Sequence, residues 1–169
     1  TPIKDDVERR NPQIGDHAIY SISKNAAVNL IEHYHAQYGI KRFILRLSTI
    51  YMYHPNKYYY VDGVKQEMGF RILIDKAMAG DPIEIWGDPN SKKQIVYVKD
   101  FIQIVEKCVI SDCEGGVYNV GTGVGITMED QVRGMIDVFS PVNNKSIIIY
   151  KPEKQGSPQF ILDITFFLK

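Results

Sequence analysis

Apolar residues recur every three or four positions between Tyr20 and Tyr38, which is the spacing of one face of an α-helix. Gly39 follows at once, where a glycine commonly ends a helix. Residues 1–19 are polar and show no sustained period, so they suit an exposed loop. The first regular element is therefore predicted to be a helix over 20–38, with an apolar face made of Ala27, Leu30, Ile31, Tyr34 and Tyr38.

Helical spacing returns in three later segments. It predicts helices over about 68–79, from Asp100 to about 108–110, and over 127–139. Gly80 is placed to end the first of these helices, and Asp100 is placed to cap the second. Thr127 with Asp130 three residues later is typical of a cap at the start of the third.

Strands are predicted where apolar and β-branched residues run together. The segment from Arg42 to Tyr51 is interpreted as one buried strand by its composition. Shorter strands are predicted at 83–86, 94–98, 116–120 and 147–150. Between these elements the sequence predicts a tyrosine-rich loop over 52–66 and a polar turn over 87–93, and an apolar stretch at 161–168 is interpreted as the start of a helix capped by Asp163.

Helices alternating with strands predict an α/β protein, with one α/β unit followed by a smaller mixed region. The chain has 169 residues, of which 44% are hydrophobic, and this is enough for a compact domain with a core. Lysine plus arginine total 20, as do aspartate plus glutamate, so the formal net charge is zero. That balance argues against a nucleic-acid surface and against a polybasic membrane face.

Cysteine and histidine placement argues against two further kinds of site. Cys108 and Cys113 are too few for a disulfide framework and lack zinc-site spacing, so we expect reduced thiols in a cytoplasmic protein. His33 and His35 fall on different faces of the predicted helix, so no metal is expected. No segment is apolar over enough residues to cross a bilayer, and none resembles a signal peptide.

The ends of the sequence suggest a longer polypeptide. The chain opens on Thr1 without an initiator methionine. It stops at Lys169, inside the apolar stretch that looks like a beginning helix. We therefore expect it to be a piece of a larger protein.

The stretch YSISK places Tyr20 and Lys24 four positions apart at the start of the first predicted helix. Residues with this separation lie on one helix face, so a phenol and an amine can address the same small volume. An ammonium group stabilises a phenolate, and such a pair can exchange a proton with an alcohol or a carbonyl near neutral pH. Alternatively, Tyr20 is a half-buried aromatic at a helix start and Lys24 a solvated side chain, since the motif fixes only two positions.

Several further segments share their order and spacing with one known family: PIKDDV, YSISK, RLSTIY, AGDPIEIWGD, QIVYVKDFIQIV and GVYNVGTGVGITMED. Over nearly its whole length the chain resembles the C-terminal half of the NAD-dependent epimerase/dehydratase family, the extended short-chain dehydrogenase/reductases. The resemblance implies the last portion of a Rossmann-type doubly wound domain together with a smaller mixed α/β substrate-binding region. Residues 1–51 would end the cofactor domain, 52–169 would be mainly substrate-binding, and 94–120 would return to the Rossmann-like part.

The resemblance assigns roles to individual residues. In this family the tyrosine of the YxxxK motif exchanges a proton with the substrate hydroxyl while a nicotinamide takes or gives a hydride, and the lysine bonds the nicotinamide ribose. Tyr20 and Lys24 would therefore be both catalytic and cofactor-binding, and Tyr51 would add a backbone contact to the nicotinamide of NAD or NADP. Relatives often dimerise through two helices that correspond to 20–38 and 100–110, so a homodimer is implied.

Two parts of the family's usual site do not occur in this sequence. The glycine-rich dinucleotide fingerprint is missing, because the segment 121–126 has Ile126 where the last glycine belongs and resembles instead the NVGTG turn of the substrate side. The family's catalytic serine or threonine lies upstream of the PIKDDV-like segment, and so before Thr1. We therefore expect this chain to be inactive when alone.

The resemblance also implies a small-molecule substrate, a nucleotide sugar. Relatives begin their substrate pocket with a YGP-type turn, where this chain has Met52 in place of the glycine and a displaced proline, so His54 and Asn56 become candidate substrate-binding residues. Lys93 and Gln159 stand where relatives often carry arginines that bind a diphosphate, and Lys93 keeps the charge.

An alternative function follows from the same departures. Because Met52 alters the turn and both arginines are missing, the chain is alternatively a non-catalytic binding or regulatory module that keeps the fold. Three other cations could compensate for the arginines but are interpreted as solvated surface residues: Arg71, Lys92 and Arg133.

Overall fold

The computed structural model describes residues 2–10, 13–15, 18–61, 63–156 and 159–165. Its regular elements in chain order are α1 (Ala18–Tyr38), β1 (Arg42–Leu47), β2 (Thr49–Tyr51), β3 (Tyr58–Val61), β4 (Val64–Glu67), α2 (Gly69–Ala79), β5 (Ile83–Trp86), β6 (Lys92–Lys93), β7 (Ile95–Tyr97), α3 (Val98–Ile110), β8 (Gly115–Val120), β9 (Ile126–Thr127), α4 (Met128–Phe139) and β10 (Ile148–Lys151). Helices alternate with strands that pair in parallel, which confirms the α/β class. Within the described ranges, every helix is too short or too polar to cross a membrane.

The first of two compact units comprises Thr1–Met52, Ile95–Gly123 and Leu162–Lys169. In this unit β1 runs parallel to β8, and β2 runs parallel to β7. The single strand predicted over 42–51 is therefore wrong, because the chain changes its partner at Ser48, whose backbone N–H donates to the carbonyl of Val120 at 3.0 Å.

The start of α3 differs from its prediction as well. The helix begins at Val98 with Tyr97 at the N-cap, so Asp100 does not cap it but lies in its first turn. A carboxylate in that position still favours the helix, because it faces the positive end of the helix dipole.

The second unit comprises Tyr53–Gln94 and Val124–Ile161. Here β5 runs parallel to β10, and α2 and α4 contact each other. The predicted helix signals hold, since Thr127 Oγ1 accepts from the backbone N–H of Asp130 at 3.0 Å and Gly80 ends α2 with a left-handed φ of 73°. The core of this unit consists of Ala77, Ile83, Ile85, Val132 and Ile136.

Part of the segment predicted as a tyrosine-rich loop is a β-hairpin. β3 and β4 pair antiparallel, with Tyr58 opposite Glu67 and Val61 opposite Val64. Gly63 has a φ of 77°, which suits the tight turn between them. The loop prediction over 52–66 is therefore wrong for 58–61 and 64–66. Its error has a physical cause, because three successive tyrosines hide the alternation that marks a strand.

A buried asparagine joins two ends of the first unit. Asn119, 2% exposed, donates through Nδ2 to the carbonyl oxygens of Ile3 at 2.8 Å and Asp163 at 2.9 Å. The backbone N–H of Asp163 also donates to the Ile3 oxygen at 2.8 Å. We call these three residues the Asn119 clasp. The helix predicted to follow Asp163 falls largely on 166–169, which lie outside the described residues.

Replacing the asparagine of the clasp should loosen both segments. Asn119→Ala leaves two part-buried hydrogen bonds unmade, which costs about 1 kcal/mol of the free energy of unfolding for each bond. Amide hydrogen exchange should quicken in residues 2–8 and 159–165. The matched control is Asn143→Ala on an exposed turn, which should leave exchange unchanged. Equal exchange in the two variants would show that the clasp does not hold these segments.

Candidate active site

The start of α1 places Tyr20 and Lys24 one turn apart on the same helix face. Lys24 Nζ lies 5.6 Å from the centroid of the Tyr20 ring, close enough for a cation to be attracted to the ring face. Tyr20 is 63% exposed, rather than half-buried, and Lys24 is exposed as well. A phenol and an amine are thus held together where a ligand can reach both.

Local packing explains why this part of the helix is ordered. Ala18 begins α1 and is 6% exposed, so the first turn is anchored by burial. Ser23 Oγ donates to the Tyr20 carbonyl at 2.9 Å, and this bond satisfies the hydroxyl within the helix. Tyr20 and Lys24 therefore remain as the groups of YSISK best suited to proton chemistry.

Tyr51 is the last residue of β2 and lies opposite Tyr97 of β7. It is half-buried, and burial raises the pKa of the Tyr51 phenol. This phenol therefore stays protonated near neutral pH.

The other predicted ligands, His54 and Asn56, contact each other across a tight turn in the second unit. His54 Nδ1 lies 3.0 Å from the Asn56 carbonyl oxygen and 3.1 Å from the Asn56 backbone nitrogen. Asn56 Oδ1 accepts from the backbone N–H of Tyr58 at 3.0 Å. Both side chains therefore hold the turn itself in place. The amide oxygen of Asn56 is bonded to the first residue of β3.

Arg71 supports this turn, and the sequence did not predict this contact. Its Nη1 donates to the His54 carbonyl at 3.0 Å, and its guanidinium carbon lies 5.4 Å from the centroid of the Tyr53 ring. Arg71 is half-buried, so its interpretation as a solvated surface residue is wrong. No local signal could have found this contact, because the two residues are 17 positions apart and lie on different elements.

Lys57 links the hairpin to α2. Its Nζ lies 2.7 Å from Glu67 Oε1 on β4 and 2.6 Å from Asp75 Oδ2 on α2. The hydrogen bond with Asp75, followed by that with Glu67, raises the pKa of Lys57, and the bond with Lys57 lowers the pKa of Asp75. With two carboxylates already bound, Lys57 is a poor candidate for a substrate phosphate.

Lys93 is the lysine that the sequence predicts to contact a phosphate. It lies half-buried on β6, which pairs antiparallel with β9, and burial lowers the pKa of its amine. An anionic oxygen beside it would offset the cost of burying the charge. Gln159, at the other expected arginine position, is half-buried and carries no charge. Arg133 is engaged elsewhere, since its Nη2 lies 2.6 Å from Glu129 Oε1.

The glycines of the segment 121–125 do not form a cradle for a pyrophosphate. A side chain at Gly125 would collide with Ile161 and Lys92, at 2.8 and 2.9 Å, and one at Gly123 would lie 3.0 Å from Ile164. These glycines allow close packing against the chain itself. Within the described residues, Gly123 and Gly125 therefore supply no glycine-rich site for the phosphates of a dinucleotide.

Metal ligands do not cluster in the part of the chain that the structure describes. Within those ranges, no three side chains of histidine, cysteine, aspartate or glutamate come close enough together to hold an ion.

The parallel pairing of the strands and the placement of Tyr20 and Lys24 one helical turn apart agree with the family that the sequence resembles. The sequence model of the NAD dependent epimerase/dehydratase family matches residues 1–121, and the chain belongs to this family. The predicted family membership is confirmed.

The individual relatives differ in the reaction that their names describe. The chain is 29% identical over 104 residues to a dTDP-glucose 4,6-dehydratase of Xanthomonas campestris, a match that covers 60% of this chain and 26% of the relative. Among solved structures, it resembles the UDP-glucose 4-epimerase of Thermotoga maritima with UDP-glucose, at a TM-score of 0.67 and 25% identity over 87% of this chain and 45% of the other. The NAD complex of the Thermus thermophilus UDP-glucose 4-epimerase matches at a TM-score of 0.63 and 21% identity, over 96% of this chain and 51% of that one.

These matches confirm the Rossmann-type fold and its partial extent. The chain spans about a quarter of the Xanthomonas relative and about half of each of the two solved structures. Which of the two units belongs to the cofactor half stays a prediction, as do the roles of the six candidate residues, Tyr20, Lys24, Tyr51, His54, Asn56 and Lys93.

Proposed function

We propose that this chain is the C-terminal part of an NAD(P)-dependent epimerase/dehydratase that acts on a hydroxyl-bearing carbon of a nucleotide sugar. The observation that carries the proposal is the pairing of Tyr20 and Lys24 on one exposed face of α1, in a chain of the NAD dependent epimerase/dehydratase family. Relatives that are dTDP-glucose dehydratases and UDP-glucose epimerases support the class of substrate.

Each residue has a defined task in this proposal. The Tyr20 oxygen takes the proton from the substrate hydroxyl and returns it after the chemical step. Lys24, one turn further along α1, stabilises the phenolate by its charge and donates to the ribose of the cofactor. The bound nicotinamide supplies hydride transfer. The Tyr51 backbone at the end of β2 contacts the nicotinamide side.

The substrate side rests on the second unit. The turn that His54 and Asn56 close, and that Arg71 holds from α2, forms the edge of the sugar site. Lys93 contacts the diphosphate as a single point charge, because an ammonium cannot make the two parallel bonds of an arginine.

A substitution at Lys93 tests this assignment in the intact enzyme. Lys93→Met should raise the KM for the nucleotide sugar about tenfold, the loss expected for one charge-assisted hydrogen bond, and should leave kcat nearly unchanged. Steady-state kinetics measure both constants. Lys92→Met on the same strand is the matched control, because Lys92 is exposed. A KM equal to that of the control would remove Lys93 from the site.

The overall proposal is tested on the polypeptide that contains this chain. Supplied with NAD or NADP and a panel of UDP- and dTDP-sugars, it should epimerise or dehydrate at least one sugar, whereas the present chain alone should show no turnover. Altered sugars are detected by chromatography and the cofactor by its absorbance. Binding of cofactor and sugar without any product would instead favour a non-catalytic module, the alternative that Met52 and the uncharged Gln159 support.

A homodimer through α1 and α3 is part of the proposal. The apolar face predicted for the first helix is not covered within the described chain, since Leu30 is 60% and Tyr38 is 64% exposed. On α3, Val109 and Ile110 are 78% and 73% exposed. Apolar helix faces of this kind bury themselves against another surface.

Light scattering on the intact polypeptide should give the mass of a dimer. Leu30→Glu places a buried charge in the proposed interface and should shift the species to a monomer at micromolar concentration. Val138→Glu, on the exposed side of α4, is the control and should leave the mass unchanged. A monomer for the unsubstituted polypeptide and for both variants would rule out this assembly.

We place the enzyme in the cytoplasm, because both cysteines are free thiols and a reducing compartment keeps them so.

A further inference from the structure

β4 is an edge strand of the hairpin that it forms with β3. In the part of the chain that the structure describes, these two strands make a two-stranded sheet, and no third strand pairs with either of them. A hairpin of two strands is only marginally stable in water, whereas a sheet of three or more strands is stable. Val64, Lys65 and Gln66 on β4 are exposed, so another polypeptide can reach this edge.

The pairing within the hairpin determines which backbone groups of β4 point outward. The N–H of Met68, just after β4, donates to the Lys57 carbonyl at 2.9 Å. Hydrogen-bonded pairs alternate along an antiparallel ladder, so Gln66 also faces β3, whereas Lys65 and Glu67 direct their N–H and C=O groups away from it. No described residue forms a hydrogen bond with these four groups. Open backbone groups on a strand edge are a template for pairing with another strand.

The outer edge of β3 is less open than that of β4. By the same alternation, Tyr58 and Tyr60 direct their backbone groups outward on β3. The N–H of Tyr58 is already bonded, because it donates to Asn56 Oδ1 at 3.0 Å. A strand added on this side would have to break that bond, so the β4 edge is the better place for a new strand.

The charges on β4 select one register for pairing with a second copy of the chain. Two copies of one strand pair antiparallel about a two-fold axis, and their outward groups meet only if the axis passes at Lys65, Gln66 or Glu67. An axis at Lys65 or at Glu67 places like charges directly opposite each other, which is unfavourable. An axis at Gln66 instead places Lys65 of each copy opposite Glu67 of the other. Glu67 Oε1 already lies 2.7 Å from Lys57 Nζ, but a carboxylate has room for a second donor.

We propose that the β4 edge is an interface between two copies of this chain, which join their hairpins into a four-stranded antiparallel sheet. In this pairing, Lys65 of each copy exchanges backbone hydrogen bonds with Glu67 of the other, and their side chains form two ion pairs. The strand has only 4 residues, so the interface is small and the association is reversible. This contact lies on other elements than α1 and α3, so it does not depend on the dimer proposed above or on the proposed function.

A disulfide across the two-fold axis tests the register. Gln66→Cys places two introduced cysteines opposite each other with Cα atoms about 4.5 Å apart, within the range of about 4.4–6.8 Å that a disulfide needs. In the matched control, Lys65→Cys, a rise of about 3.4 Å per residue leaves the two cysteines about 8 Å apart, which is too far. Both variants are made in the full 169-residue chain that also carries Cys108→Ser and Cys113→Ser, and circular dichroism checks their folding.

Mild oxidation should link two copies of the Gln66→Cys chain, and mass spectrometry should find the disulfide between the two introduced cysteines. The Lys65→Cys chain should remain largely unlinked under the same conditions. Equal linking of the two variants would overturn the proposed register. An unlinked Gln66→Cys chain would leave the edge to a different strand, such as one from the rest of the parent polypeptide, and would overturn the proposal.

Sedimentation velocity at rising protein concentration tests the association without a cross-link. The chain carries Leu30→Glu, so that the α1–α3 contact does not contribute, and it should still exchange between monomer and dimer. Lys65→Glu places two glutamates of one copy opposite Glu67 of the other, and it should weaken the association about tenfold. Lys65→Pro removes an outward N–H and keeps the bonds within the hairpin, so it should weaken the association as well.

The charge-matched control is Lys92→Glu, because Lys92 is also exposed and lies on β6. It should leave the association unchanged. If Lys65→Pro fails to fold, Lys65→Glu still decides the result, since it alters only an exposed side chain. A chain with Leu30→Glu that stays monomeric at every concentration, or equal association of the Lys65→Glu and Lys92→Glu variants, would overturn the proposal.

Discussion

Tyr20→Phe in the intact enzyme should lower kcat roughly 10²- to 10⁴-fold, the usual contribution of a positioned acid or base. The substitution removes one oxygen from a side chain that is 63% exposed, so it leaves no cavity in the core. Because Lys24 keeps its place one turn away, binding of the cofactor should change little. Stopped-flow and steady-state measurements of kcat, with titration of NAD by fluorescence, give both quantities.

Tyr34→Phe is the matched control for this prediction. Tyr34 lies on the same helix and is 51% exposed, but it is not part of the YSISK stretch. Its kcat should equal that of the unsubstituted enzyme. If Tyr20→Phe also turns over at the unsubstituted rate, Tyr20 is not the acid or base and the alternative of a non-catalytic module gains support.

Ile85→Ala should lower the free energy of unfolding by about 2–5 kcal/mol, as large-to-small substitutions in a packed core do. Ile85 is 0% exposed on β5, among Ala77, Ile83 and Val132, each also at 0%. The parallel pairing of β5 with β10 holds the backbone in place, so the neighbours cannot collapse fully into the space. Such a loss is a large share of the roughly 5–15 kcal/mol that stabilises an ordinary protein.

Urea unfolding followed by circular dichroism measures this loss. The urea concentration at the midpoint should fall, while the m-value should stay the same. Ile147→Ala is the matched control, since it removes the same atoms from a residue that is 63% exposed just before β10. The control should change stability by less than about 0.5 kcal/mol. Similar losses in the two variants would mean that the core of the second unit does not lie where Ile85 is.

Elements with strong local signals were predictable from the sequence. The helix α4 is an example, because Thr127 and Asp130 specify its first turn through contacts three residues apart. The end of α1 is another, since Gly39 has a φ of 65° and its N–H donates to the His35 carbonyl at 2.9 Å. In both places the decisive interactions lie within one turn of the chain.

Features decided by distant partners were not predictable. The residue Ser48 separates β1 from β2 only because β8 and β7 offer different partners, and both follow much later in the sequence. The hairpin of β3 and β4 is stabilised in part by Lys57, which reaches Asp75 on the next helix. Neither the break at Ser48 nor the contact of Lys57 leaves a local pattern. The period and composition of the side chains do not specify which distant element a strand will contact.

The candidate site shows the same division. Tyr20 and Lys24 were placed on one face by helical period alone, and the structure puts the amine beside the ring. The amide oxygen of Asn56 accepts from the backbone N–H of Tyr58, and the role of Asn56 in a substrate site stays a prediction. Short polar residues in turns often bond their own backbone, and the sequence alone does not show which polar atoms such a bond uses.

The Asn119 clasp bears on how the protein is made. It joins Ile3 to a residue 116 positions further along, and its other partner, Asp163, comes 44 positions later still. A ribosome adding about 5–20 residues per second delivers Asp163 many seconds after Ile3 has emerged. Until then the first residues lack at least one of the two partners that fix them, so the opening segment of this chain settles late.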